Sequence, residues 1–65
     1  MDRESEIMER VRSGERIEGI GCSLSEELTV RLALGLGVPA SVYAYDPWDR
    51  LDERQRQIVQ MALVA

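Results

Sequence analysis

Apolar positions along the chain fall into three helical patterns, separated by glycine, proline and polar breaks. The middle pattern is the strongest. Leu24, Leu28, Leu32 and Leu36 recur every four residues and share one slowly drifting face, while Val30, Ala33 and Leu34 cover much of the opposite side. A helix that is apolar nearly all round belongs between other elements, so residues 24–36 are expected at the centre of the fold. Ser23 and Glu26 have the S-x-x-E spacing of a capping box, which marks the helix start. Glu26 and Glu27 suit the positive end of its dipole, and Glu27 is spaced to pair with Arg31. Gly35, Gly37 and Pro39 then prevent a clean continuation.

Two amphipathic arms flank this helix. Residues 2–12 carry a narrow stripe of Ile7, Met8 and Val11, with acids at the start and Arg10 and Arg12 at the end. Glu6 and Arg10 are spaced for an i, i+4 pair, and Ser13-Gly14 supplies a stop. Residues 47–64 carry the second stripe: Trp48, Leu51, Ile58, Val59, Ala62 and Leu63. Asp46 is its N-cap, with Pro47 at the first helical position and Asp49 at the third. Asp52 competes as a cap because it would otherwise fall inside the stripe, and it is also spaced to pair with Arg56. Met61 and Val64 fall off the stripe, so the C-terminal turn is apolar on more than one side.

The two connections are less sharply written. In residues 15–22, Ile17 and Ile20 have helical spacing, whereas Gly19 and Gly21 suit a loop and a short strand is also open. An irregular connection that tucks both isoleucines under the central helix reconciles these signals. In residues 39–45, Pro39 suits a helix start, while the β-branched and aromatic content also allows a strand. The expected fold is all-α: one domain with three main helices near 2–12, 24–36 and 47–64, and a short helical turn between the second and third.

Size and composition narrow the rest. A chain of 65 residues buries only about 60% of its unfolded surface, and such domains usually add a disulfide, a metal or a second subunit. Cys22 is the only cysteine and histidine is absent, which excludes an internal disulfide and a structural zinc site. Tight packing or self-association is left. The net charge of −4 speaks against a phosphate-backbone binder. No apolar run reaches the ~20 residues of a membrane span, and the acidic start is unlike a signal peptide, so a cytoplasmic location is expected. Every basic residue is Arg, with no Lys, Asn or Phe, which points to a GC-rich genome such as those of actinobacteria and their phages. Phage accessory genes often encode stand-alone proteins this small.

Catalytic patterns are missing. There is no glycine-rich phosphate loop, no metalloprotease spacing and no histidine base, and the acidic pairs Glu26/Glu27 and Asp52/Glu53 sit where capping explains them. Without a histidine or lysine beside it, Cys22 reads as a small packed residue. Neither an enzyme, a cofactor nor a bound metal is expected. The stretch Ala33-Leu34-Gly35-Leu36-Gly37-Val38-Pro39-Ala40-Ser41-Val42-Tyr43 resembles a helix-turn-helix: an alanine, a Leu-Gly-Val turn, then a Ser-Val-Tyr recognition helix. Val42 falls one residue early, and residues 39–45 hold no Arg, Lys, Asn or Gln to read base edges. The resemblance implies, as the second reading, a degenerate DNA-binding regulator contacting DNA through arginines such as Arg31, Arg50, Arg54 and Arg56.

The first reading is a small acidic interaction module, phage-encoded or otherwise, that binds a protein partner or pairs with itself as a homodimer. Its candidate surface is the aromatic turn of Tyr43, Tyr45 and Trp48 together with Met61 and Val64 of the C-terminal turn. Aromatics bury large area while keeping a polar handle, which is why they concentrate in binding hot spots.

Overall fold

The computed structural model describes residues 1–64, and all of its regular structure there is helical. Helix α1 spans Arg3–Arg12, α2 Leu24–Leu34, α3 Pro47–Arg50 and α4 Glu53–Val64, with a single 3-10 turn at Ile17–Gly19. The middle helix α2 packs against both α1 and α4. A small helical bundle is therefore correct, but its third expected helix is two.

Each helix starts where a side chain satisfies its free amides. Asp2 accepts from the Ser5 N–H at 2.7 Å ahead of α1. Ahead of α2 the capping box is complete: the Glu26 N–H donates to Ser23 Oγ at 3.2 Å, and the Ser23 N–H donates to the Glu26 carboxylate at 2.8 Å. The helix ends two residues sooner than its leucine repeat predicts. Gly35 takes φ 69°, and the Leu36 N–H turns back to the Arg31 carbonyl at 2.9 Å, which leaves Leu36 exposed past the end. An L-residue pays for the left-handed region at Gly35, although a Cβ there would meet open space. Gly35→Ala should thus cost about 1 kcal/mol in urea denaturation. Gly21→Ala, with ordinary backbone angles and equally open space, should be neutral or stabilising.

The break in the last helix has a clear cause. Asp46 caps α3 by accepting from the Trp48 N–H at 3.0 Å, and Leu51 then turns extended (φ −85°, ψ 146°) and buries its side chain. Asp52 and Gln55 form a second reciprocal cap, with Gln55 N–H to Asp52 Oδ1 at 2.8 Å and Asp52 N–H to Gln55 Oε1 at 3.1 Å. Arg56 does not pair with Asp52 as its spacing predicts. Its Nε–H donates to the Trp48 carbonyl at 3.1 Å, an oxygen at the end of α3 that also accepts from the Leu51 N–H at 3.2 Å.

The expected turn at 39–45 is a single turn and not a helix. The Val42 and Tyr43 N–H groups both reach the Pro39 carbonyl, at 2.9 and 3.1 Å. Gly37 at φ 79° precedes this turn, and Asp46, extended ahead of Pro47, closes the segment. In the other connection, Ile17 and Ile20 are both buried around the 3-10 turn, as the irregular reading requires.

Two apolar cores lie on the two faces of α2. Ile7, Met8, Ile17, Ile20, Val30 and Ala33 form the first. Leu28, Leu51 and Val59 form the second, with Leu24, Leu32, Val38, Val42, Tyr43 and Trp48 packed against it. The division follows the sequence pattern: leucines every four residues on one side, Val30 and Ala33 on the other.

Candidate interaction surface

Polar side chains inside the fold are fully engaged, which decides what remains for a partner. Among the described residues, no buried side-chain nitrogen or oxygen lacks a hydrogen-bond partner. Glu4 is wholly buried and accepts from Arg54 at 3.0 and 2.8 Å and from Gln55 Nε2 at 2.9 Å. The Arg54 guanidinium, with help from Gln55, holds this carboxyl down at about 2 against the burial that opposes it. Arg31 is also buried, with Glu27 at 2.9 Å and Glu18 at 3.5 Å. Arg10 turns away from Glu6 to a two-pronged contact with Glu15 at 2.9 and 2.8 Å, while Glu6 pairs with Arg3.

Those contacts bear on the arginines that a helix-turn-helix would use. Arg31 and Arg54 are tied to carboxylates, and Arg56 lies over the Trp48 ring, 5.5 Å from its centroid. Arg50 is exposed. The segment 39–45, where a recognition helix would lie, is the single turn described above. Burial, followed by the carboxylates of Glu27 and Glu26, pushes the Cys22 thiol up and away from thiolate chemistry. Among the described residues, no three of His, Cys, Asp and Glu gather as metal ligands would. No helix among them is long and apolar enough to cross a membrane.

No protein-family model matches the chain, and no match was found among curated proteins or solved structures. Its surface therefore has to be read from its own residues.

The five residues singled out above do not converge. Tyr43 and Trp48 are half-buried against the second core, whereas Tyr45 is 78% exposed. The two tyrosine rings meet edge to face at 5.7 Å, so Tyr43 steadies the exposed ring of Tyr45. Met61 belongs to a different place. It lines an open, mainly apolar groove of about 330 Å³ between α1 and α4, with Asp2, Ser5, Met8, Ile58 and Ala62. Ile58 and Ala62 border the first core, so the groove lies on that side of the fold.

The final turn of α4 is the most apolar exposed stretch. Met61 is 73% exposed, Leu63 69% and Val64 86%. Leu63 departs from the stripe on which its spacing puts it, because neither core extends past Ala62 to cover it. The groove residues of α1 escape a purely local reading. Ser5 and Met8 are spaced as one helical step, but only the tertiary arrangement sets them opposite Ile58 and Met61.

Proposed function

We propose that the protein is a small binding module that works by occupying the surface of a protein partner rather than by catalysis. One observation carries this reading: Met61, Leu63 and Val64 stand exposed in a single turn, with Met61 also forming a wall of the α1/α4 groove. Isolated exposed apolar residues are ordinary, but Met61 and Val64 are one helical step apart on α4 beside a concave apolar surface, which is a mark of an interaction site; Leu63 faces another side of the helix. Tyr45 provides a second, smaller contact on the aromatic turn. The acidic balance keeps such a module soluble while that patch is uncovered.

The test is affinity capture from a lysate of the source cells with three forms of the chain. The wild type should retain a partner protein, and Met61→Glu should lose it, because a charge at the centre of an apolar contact typically costs more than ~2 kcal/mol. Tyr45→Ala should weaken it less. Retention by Met61→Glu at wild-type strength would sink the assignment of this surface.

A further inference from the structure

We infer that α3 is a strap over the second core, latched from α1 through the side-chain amide of Gln55, so that loss of the Glu4 contact lets residues 47–64 straighten toward one continuous helix. The latch is a chain of hydrogen bonds that spans the fold. Gln55 Nε2 donates to the wholly buried Glu4 of α1 at 2.9 Å, and Gln55 Oε1 accepts from the Asp52 N–H at 3.1 Å. Gln55 is itself only 4% exposed, so water has little access to replace either bond.

Glu4 fixes which way round this amide lies. Both of its oxygens accept from Arg54, and a carboxylate has no proton to donate. Gln55 therefore has to offer Glu4 its NH2 end, which leaves the amide oxygen for the Asp52 N–H. Reversed, the amide would set oxygen against carboxylate and NH2 against N–H.

The straightened form is written into the same residues. Trp48, Leu51, Ile58, Val59 and Ala62 continue one apolar stripe across the break, and Pro47 suits the first position of a helix that starts there. The contested atom is the Trp48 carbonyl oxygen. In a continuous helix it accepts from the Asp52 N–H, four residues on. Here it accepts from the Leu51 N–H at 3.2 Å and from Arg56 Nε at 3.1 Å, while the Asp52 N–H goes to Gln55. Straightening gives the Asp52 N–H its helical acceptor and lets Arg56 pair with Asp52 at i, i+4. Burial of Leu51, with Trp48 packed beside it, holds the strap closed from the second core. The Gln55 amide is the part of the balance that α1 controls, so displacement of α1 from α4 releases α3.

Amide exchange and backbone chemical shifts of the full chain, measured by NMR, test this with Glu4→Leu and Gln55→Met. Each removes the latch at a similar side-chain volume. Both should speed exchange of the Asp52 N–H by about 3- to 10-fold relative to the Val30 and Ala33 amides of α2, the effect of one lost hydrogen bond. Both should move the Leu51 Cα shift from extended toward helical, and move the emission of Trp48, the one tryptophan, to longer wavelength. Acceleration by Gln55→Met alone overturns the latch, because the cap would then work without α1. So does acceleration shared equally by Val30 and Ala33, which is global unfolding, or a Leu51 shift that stays extended in both variants. The wild type supplies a check that does not depend on either variant folding: the Gln55 side-chain NH2 and the Asp52 N–H should be protected together. A Gln55 NH2 that exchanges like a solvated glutamine beside a protected Asp52 N–H overturns the latch as well.

Discussion

Leu28→Ala is expected to lower the unfolding free energy by about 3 kcal/mol, within the range measured for buried leucines. Leu28 has no exposed surface and sits in the second core between Leu51 and Val59. Its surroundings are poorly able to collapse into the space it would leave. Leu51 is held in its extended conformation between two caps, Asp46 on one side and the Asp52–Gln55 pair on the other. A single core of this size rarely supplies more than 3–5 kcal/mol in total. Urea denaturation followed by circular dichroism should therefore find the variant substantially unfolded near neutral pH at 25 °C. Met61→Ala, on an exposed side chain, should stay within about 0.5 kcal/mol of wild type. Equal losses for the two variants would mean that the second core does not carry the fold.

Periodicity makes the architecture legible because α2 obeys it on both faces. The leucine repeat and the Val30/Ala33 side each found a core, and the Ser23–Glu26 box sets the start of the helix. The boundary at Asp52 was written in the chain as well, in a D-x-x-Q spacing that competes with the longer apolar stripe. The reciprocal cap wins because burying Leu51 requires extended backbone just before it. Spacing predicted the wrong ionic partners where a tertiary or post-helical alternative existed. Arg10 chose Glu15, and Arg56 chose the Trp48 carbonyl and ring.

The candidate surface was harder to read. Tyr45, Met61 and Val64 are exposed as a binding role requires, whereas Tyr43 and Trp48 also serve the second core. The groove escapes sequence reading because its two walls lie some fifty residues apart in the chain, and no local period links them. Glu4 illustrates the same gap. Its place three and four residues before Ile7 and Met8 puts it on the apolar stripe of α1, yet its position in the first turn offers a sufficient reason for an acid. Only the approach of Arg54 and Gln55 shows that this acid is interior.

That interior acid gives the second large effect, and pH is the way to see it. Glu4 has its folded-state pKa depressed from 4.5 to about 2 by Arg54 and Gln55. The stabilisation is fully present above about pH 4.5 and is lost as pH falls toward 2, because across that window the unfolded chain binds a proton that the folded chain refuses. The interval corresponds to about 3 kcal/mol at most. Since 55% of the Arg54 side chain is exposed and water competes for it, Arg54→Ala should destabilise at pH 7 by less than that interval. Glu4→Gln should also destabilise at pH 7, and its deficit relative to wild type should shrink by pH 3, where the wild-type chain has begun to lose the same interaction. Urea midpoints for wild type, both single variants and the double variant, taken between pH 7 and pH 3, measure this directly. Non-additive losses at pH 7 that converge on acidification would establish the Glu4–Arg54 link as the clasp between α1 and α4. A Glu4→Gln deficit that is the same at pH 3 as at pH 7 would show that the carboxylate charge contributes nothing and that only its shape is used.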